Sequence, residues 1–307
     1  MLKLLAFGLI GLFAQLIDGA LGMSYGVTST TLLLTVGIAP AAASASVHLA
    51  EIGTTLASGT AHWKFGNVDW SVVIRMAFPG FVGAFIGAMV LSSLSAEAAA
   101  PVVSGILLCL GIYVLYRFTG SRGRRTQEER LEAAEETGES GSAGSKLKSI
   151  FLAPLGLFAG AMDAMGGGGW GPIGTPTLLS ATKMEPRKVV GSIDTSEFLV
   201  AIGASLGFLF GLGSQGIEWG WVGALLVGGL IAAPLAAWIV RHLSPRVLGL
   251  SVGSLIIVTN IQNIGKVAGV PDSVLSGIFI AFGLAWLTTM AIVMSRRRRD
   301  RFEPATA

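Results

Sequence analysis

An apolar segment of the chain is interrupted by the residues Asp163-Ala-Met-Gly-Gly-Gly-Gly-Trp-Gly171. Each Gly in a helix interior costs about 1 kcal/mol relative to Ala, so consecutive Gly residues predict a break in the helix. A related stretch, Asp18-Gly-Ala-Leu-Gly-Met-Ser-Tyr-Gly26, interrupts a second apolar segment. The two interrupted segments are Leu2–Gly37 and Ile150–Thr182, and their breaks are Asp18–Gly26 and Asp163–Gly171.

The composition around these breaks is that of a membrane protein. Of 307 residues, 52% are hydrophobic and only 13% are charged, with a mean hydropathy of +0.71. Soluble domains carry about 25% charged residues, so this composition excludes a water-facing surface over most of the chain. The single cysteine, Cys109, and 3 histidines support neither a disulfide framework nor a metal cluster, and we expect no cofactor and no metal.

Seven uninterrupted apolar runs approach the roughly 20 residues that a membrane crossing requires. These predicted spans are Pro40–His62, Trp70–Leu94, Ala99–Phe118, Arg187–Leu212, Ile217–Arg241, Arg246–Ile264 and Asp272–Met294. The sequence therefore predicts an all-α, polytopic transmembrane helical bundle.

The two interrupted segments are each either one broken span or a re-entrant hairpin that returns to its own side. The distribution of basic residues favours hairpins, because nearly all Lys and Arg residues then lie on one side of the membrane. We therefore predict an N-terminus outside and a C-terminus in the cytoplasm. The net charge of +3 reflects this orientation, so we expect no nucleic-acid partner. A signal-peptide interpretation of Leu2–Leu16 is an alternative, but that segment has a counterpart in the second half of the chain.

The chain contains an internal repeat. The two breaks align with each other, and a set of single residues follows in the same order in both halves. These matched pairs are Pro40 and Pro186, Ser46 and Ser192, Glu51 and Glu197, Asp69 and Glu218, Trp70 and Trp219, and Pro101 and Pro245. Each half is predicted to hold one hairpin and three spans, so the halves insert in opposite orientations as inverted repeats.

The repeat sets the predicted domain boundaries. The first transmembrane repeat covers 1–119, and the second covers 149–264. A cytoplasmic charged linker, rich in Arg, Glu, Gly and Ser, joins them at 120–148. An extra span without a counterpart lies in 265–295, and a cytoplasmic tail follows at 296–307.

The two breaks are the candidate substrate site. A new helix is expected after each break, near Val27 and Pro172, and a helix N-terminus offers free N–H donors and a partial positive charge. Two such ends would bind an anion, with hydroxyl groups as further donors and two aromatic rings shaping the pocket. The candidates are Gly22, Ser24, Tyr25, Gly26, Thr28, Thr30, Gly166, Gly167, Gly168, Gly169, Trp170, Gly171 and Thr175. The alternative is that these glycines only permit close helix packing.

Six titratable residues in or beside the apolar segments are candidates for ion coupling. They are Asp18, His48, Glu51, Asp163, Asp194 and Glu197. A charge at the bilayer centre costs roughly 2.5–3.5 kcal/mol on insertion scales, so such residues are functional candidates. The pairs His48/Glu51 and Asp194/Glu197 are each spaced to share one helix face, and a proton is the expected coupling ion. For Asp18 and Asp163, capping of the new helix is an equal alternative.

Other polar residues in the spans have simpler interpretations. Arg75 is an alternative anion partner, but snorkelling to the interface explains it better. The polar cluster of Asn260, Gln262 and Asn263 either lines a pathway or marks the outer end of its span.

The breaks, the segments Pro40–Glu51 and Pro186–Glu197, and the duplicated layout resemble the sulfite exporter TauE/SafE family. This resemblance covers nearly the whole chain outside the linker. It implies a transporter of the bacterial inner membrane that exports small sulfur-containing anions such as sulfite, sulfoacetate or other organosulfonates. The substrate, the direction of transport, the coupling ion and the oligomeric state are left open.

Three function classes compete at this stage. A secondary transporter that works by alternating access around the breaks is favoured. An anion channel that uses the same hairpin tips as a filter is the alternative. The sequence contains no nucleophile–His–acid set, no HExxH motif and no nucleotide-binding loop, so we predict that the protein is not an enzyme.

Overall fold

A computed structural model describes residues 2–21, 24–119, 149–182, 184–213, 217–239 and 245–302. All regular secondary structure in these ranges is helical. The predicted linker at 120–148 and the candidate residue Gly22 lie outside the described residues.

The described part of the chain forms eleven helices, numbered here in chain order. The first half contains α1 (Leu2–Leu21), α2 (Tyr25–Thr35), α3 (Pro40–Lys64), α4 (Trp70–Ser93) and α5 (Ala96–Thr119). The second half contains α6 (Ser149–Gly166), α7 (Trp170–Ala181), α8 (Pro186–Leu212), α9 (Trp219–Ile239), α10 (Pro245–Val267) and α11 (Asp272–Phe302).

Each predicted continuous span corresponds to one helix. Among the described residues, three helical stretches are long and apolar enough to cross a membrane: Trp70–Ser93, Ala96–Arg117 and Arg187–Leu212. The helical, apolar architecture supports a multi-pass membrane protein. The last helix, α11, is longer than its predicted span because it continues through the Arg-rich segment to Phe302. Arg is a good helix former and is favourable near a helix C-terminus, which explains the extension.

The two breaks are shorter than predicted. Helix α1 continues past Asp18 to Leu21, and α6 continues past Asp163 to Gly166. As a result α1 has 20 residues, which at 1.5 Å per residue matches the roughly 30 Å hydrocarbon core.

Helix α2 turns back beside α1. Leu33, near the end of α2, belongs to the same buried cluster as Phe7 and Ile10 near the start of α1. The ring of Phe7 in turn packs against Trp221 of α9, with ring centroids 5.1 Å apart. The end of α2 and the beginning of α1 therefore share one apolar core.

The two halves of the chain are interleaved. Helix α4 of the first half packs along α6 and α8 of the second half, and α9 of the second half packs along α1 and α3 of the first. Helices α3 and α8 contact each other, as do α5 and α10. The main helix contacts thus form between the halves.

Glycines bring these helices to backbone contact. A Cβ atom at Gly11 of α1 would overlap the carbonyl group of Leu225 in α9, and one at Gly156 of α6 would overlap that of Met76 in α4. Close helix approach through small residues is the usual basis of packing in membranes. The packing interpretation therefore holds for these isolated glycines.

Candidate functional site

The two Gly-rich breaks lie in direct contact inside the protein. The hydroxyl of Thr30 in α2 donates a 2.7 Å hydrogen bond to the carbonyl oxygen of Gly167 in the second break. A Cβ atom at Gly26 would lie 2.7 Å from both Gly167 O and Gly168 Cα. Segments that are far apart in the sequence therefore form one buried junction.

The second break requires glycine for two reasons. Gly167 and Gly168 have φ angles of +67° and +147°, a backbone region that favours glycine. A Cβ atom at Gly168 would also overlap the backbone between Gly26 and Val27. Gly166, in contrast, is the last residue of α6, so it does not belong to the break as predicted.

The two aspartates cap the helices that follow the breaks. Asp163 Oδ1 accepts hydrogen bonds from the N–H groups of Gly169 and Trp170, at 2.6 and 2.9 Å. Asp18 Oδ1 accepts from the N–H groups of Ser24 and Tyr25, at 2.6 and 3.1 Å. A carboxylate satisfies unpaired donors and is favourable at a helix N-terminus.

These caps correct two predictions. The new helices begin at Tyr25 and Trp170, two residues earlier than the predicted starts at Val27 and Pro172. The first N–H groups of both helices are bound by carboxylates of the chain, so they are not free donors for an anion. The capping interpretation of Asp18 and Asp163 is the one that the structure supports.

Tyr25 and Trp170 anchor the same helix starts. The Tyr25 side chain is buried, and its hydroxyl lies 3.3 Å from the carbonyl oxygen of Leu225, to which it donates a hydrogen bond. Trp170 is fully buried, and its indole Nε1–H lies 3.1 Å from both the carbonyl oxygen of Ile193 and Ser196 Oγ. Both rings are thus fixed in the core rather than placed across an opening.

Several buried hydroxyl groups beside the junction have no hydrogen-bond partner among the described residues. They belong to Ser24, Thr28 and Thr175. The sequence predicted all three as candidate donors. It gave no role to Ser29, a buried residue of the same short helix whose hydroxyl hydrogen-bonds the Tyr25 side chain. Thr30 differs from them because its hydroxyl is bound to Gly167. Gly171 is buried in the first turn of α7.

His48 connects the two breaks through carboxyl groups. Its Nδ1 atom lies 2.8 Å from Glu51 Oε2 and 3.8 Å from Asp163 Oδ2. Its Nε2 atom lies 3.2 Å from the backbone carbonyl oxygen of Asp163. A Cβ atom at Gly26 would lie 2.8 Å from Glu51 Oε1, so Glu51 also touches the first break. All three ionisable side chains are buried.

The remaining two predicted acids lie on α8 close to this group. Asp194 interacts electrostatically with Asp18 and accepts a hydrogen bond from Ser58. Glu197 is within electrostatic range of four carboxyl groups, those of Asp18, Glu51, Asp163 and Asp194. The structure therefore brings all six titratable candidates together around the junction.

Two further contacts hold the site, and neither was predictable from residue spacing. Ser44 Oγ donates a 2.6 Å hydrogen bond to the carbonyl oxygen of Ala164, which fixes α3 to α6. Phe208 of α8 stacks on the His48 ring, with centroids 6.2 Å apart. Arg75 is exposed on α4, as expected for a residue that snorkels.

Comparison with known proteins extends these observations. The family model for the sulfite exporter TauE/SafE matches residues 7–263. The chain is 47% identical over 296 residues to the probable membrane transporter protein YtnM of Bacillus subtilis (strain 168), which covers 96% of this chain and 94% of that protein. No solved structure matches the chain. A family match over most of the chain, together with this relative, shows that the protein belongs to the sulfite exporter TauE/SafE family and is a membrane transporter, not an enzyme.

Proposed function

We propose that the protein is a secondary transporter that exports small sulfur-containing anions such as sulfite, sulfoacetate or other organosulfonates. The observation that carries this proposal is the buried junction of the two breaks, bordered by hydroxyl groups for which the described residues supply no partner. An unpaired polar group in the membrane interior costs several kcal/mol, so these hydroxyls need a bound partner. A sulfur oxyanion supplies that partner, because its oxygens accept hydrogen bonds.

In this proposal the anion is not bound mainly by the N–H groups at the helix N-termini, as the sequence predicted. Because Asp18 and Asp163 occupy the first N–H groups of α2 and α7, hydroxyl groups are the main donors in this proposal. Ser24 and Thr28 supply them at the first break and in α2, and Thr175 supplies one from α7. The substrate then lies between the short helices that follow the two breaks.

Proton coupling follows from the charge of the site. Five carboxyl groups and one imidazole lie close together, and their combined negative charge repels an anion. Protonation of these carboxyl groups relieves this repulsion. Glu51 and Glu197 are the proposed coupling residues because Glu51 touches the first break and Glu197 is within range of the other four acids.

An inverted repeat with re-entrant hairpins accounts for the paired contacts. In both halves an Asp Oδ1 atom accepts from the sixth and seventh residues after it, as Asp18 and Asp163 do. In addition, the Gly11–Leu225 contact and the Gly156–Met76 contact join repeat-equivalent positions. We infer the same topology as before: a cell inner membrane protein with its N-terminus outside and its C-terminus cytoplasmic.

In the proposed alternating access, each of the two moving bodies contains helices from both halves of the chain. Because α4 packs along α6 and α8, and α9 along α1 and α3, the two sequence halves do not separate as rigid units. We propose that one body contains α4, α6 and α8 and that the other contains α1, α3 and α9. These bodies meet at the α3–α8 interface, which carries His48, Glu51, Asp194 and Glu197.

Flux in proteoliposomes tests the proposal. Purified protein is reconstituted, and uptake of radiolabelled sulfite or sulfoacetate is followed with and without an imposed pH gradient. A transporter gives saturable flux that the gradient drives uphill. An anion channel gives flux that does not saturate and never exceeds electrochemical equilibrium. Absence of flux for every sulfur anion would overturn the proposed substrate class.

A further inference from the structure

One face of α2 carries a line of hydroxyl groups. Ser24, Thr28, Thr31 and Thr35 follow one another at helical spacing from the first break to the end of the helix. The first three are buried. A short transmembrane helix with a hydroxyl-lined face contacts either a polar partner or water.

The partner of this face is α10. Asn260 is fully buried, and its Nδ2 atom donates to Thr31 Oγ1 at 3.2 Å and to the carbonyl oxygen of Ile256 at 2.8 Å. Its Oδ1 atom has no partner among the described residues, and neither has Nδ2 of Asn263 one turn further on. Unsatisfied amide atoms thus continue the line that begins with the hydroxyl of Thr28.

Helix packing alone does not explain these atoms. If Asn260 only held the two helices together, its Nδ2 bonds to Thr31 and Ile256 would be sufficient, as for other polar residues between membrane helices. Such a role does not require a buried Oδ1 without a partner. A buried acceptor or donor without a partner is unfavourable, and Thr28, Asn260 and Asn263 each carry one; helical spacing places Asn263 on the same side of α10 as Asn260. Water or a polar solute between α2 and α10 removes this cost.

The line ends at an exposed positive charge. Lys266 follows Asn263 by three residues in the last turn of α10 and is exposed. A cation at the mouth of a route attracts anions and raises their local concentration. The acids of the junction lie on α1, α3, α6 and α8, so the α2–α10 interface offers an approach lined by neutral groups.

We propose that the α2–α10 interface is the route by which the anion passes between one face of the membrane and the junction of the breaks. This inference rests on the proposed function. Asn263 Nδ2 and the Thr28 hydroxyl donate to the anion, and Asn260 Oδ1 accepts from its hydration water or from the O–H of a monoprotonated oxyanion. Lys266 selects for negative charge at the mouth.

Cysteine accessibility in the full-length protein tests the route. Cys109 is exposed on α5, so Cys109→Ala provides a background without thiols. Asn260→Cys and Asn263→Cys are compared with Ile256→Cys, a buried position of the same helix one turn before Asn260. Each variant is treated in proteoliposomes with two thiol-specific methanethiosulfonate reagents. One carries an anionic sulfonate group, and the other carries a cationic ammonium group. Thermal unfolding confirms that each variant is folded.

The route predicts labelling at positions 260 and 263 by the anionic reagent, at least tenfold faster than at position 256. Sulfoacetate should slow the labelling at positions 260 and 263. Replacing the exposed Lys266 by Gln should reduce the preference for the anionic reagent severalfold. Labelling at 260 and 263 as slow as at 256, or an unchanged preference in Lys266→Gln, would overturn the route. Sulfite and sulfoacetate flux in the Cys109→Ala background is measured in parallel. Loss of the proposed function would appear there as absent flux, independently of the labelling pattern.

Discussion

The hydroxyl of Thr30 donates a 2.7 Å hydrogen bond to the carbonyl oxygen of Gly167, and this bond joins the helix that follows the first break to the second break. Both residues are buried. The bond therefore ties α2 to the second interruption of the helical backbone, and the site depends on both halves of the chain at once.

Replacing Thr30 by Val removes this bond with little change of shape. The buried carbonyl of Gly167 then loses its partner, so we expect a loss of about 1–3 kcal/mol in the free energy of unfolding. The control is Thr35→Val, because the Thr35 hydroxyl is exposed and bonds only to Thr31 in its own helix. Thermal unfolding in detergent compares the two. Equal stability of both variants would show that the junction does not depend on this bond.

Removal of the cap carboxylate at Asp163 should destabilise the protein strongly. Loss of an N-cap typically costs about 0.5–2 kcal/mol. We expect a larger loss for Asp163→Ala, because this change leaves two buried N–H groups unpaired. Asp69 provides the matched control, since its Oδ1 accepts from Ser71 N at 2.9 Å at the solvent-accessible start of α4. We expect a clearly lower unfolding midpoint for Asp163→Ala than for Asp69→Ala.

Asp163→Asn separates the cap from the charge. The amide oxygen still accepts from Gly169 and Trp170, so the fold should remain, while the negative charge beside His48 is lost. Transport that changes in a stable Asp163→Asn protein assigns a functional role to the charge. Unchanged transport limits Asp163 to capping.

A methyl group at Gly168 should disrupt the junction. Gly168→Ala places a Cβ atom 2.7 Å from Gly26 Cα at a φ angle of +147°, so both the contact and the backbone oppose it. Gly37→Ala is the control because Gly37 also has a positive φ, +85°, with nothing within 4 Å of its Cβ position. The control should lose only about 1–2 kcal/mol in the free energy of unfolding, because a left-handed backbone conformation is unfavourable for Ala. Similar transport and stability in both variants would argue against the close contact of the breaks.

Neutral substitutions at Glu51 and Glu197 test proton coupling. Glu51→Gln and Glu197→Gln keep the size of each side chain and remove its titration, so we expect the pH gradient to drive little or no uphill flux. Glu97→Gln, at an exposed position in the first turn of α5, should behave as wild type. Full coupling in both substituted proteins would exclude these residues from the proton pathway.

The helices and their order follow from apolar run length and from glycine. Pro40 and Pro186 mark the first helical residues of α3 and α8, as proline favours that position, and the break between Gly166 and Trp170 follows from consecutive glycines. The exact limits of the breaks could not be predicted from the sequence. Helix α1, for example, continues through Asp18 and Gly19 to Leu21.

The contacts within the site were not predictable from one sequence. Asp163 binds donors six and seven residues ahead, which requires the backbone turn at Gly167 and Gly168. The role of Ser44 depends on α6, which is 120 positions away in the chain. Such contacts arise from tertiary packing, and periodicity and spacing carry no information about them.

Counterflow of radiolabelled sulfite, in proteoliposomes preloaded with unlabelled sulfite, tests the anion site between the two breaks. We predict transient, saturable accumulation of label by the wild-type protein and by Gly37→Ala. We also predict its loss in a Thr28→Val, Thr175→Val double variant that still unfolds cooperatively. Undiminished counterflow in that folded double variant would contradict an anion site at the meeting point of the two breaks.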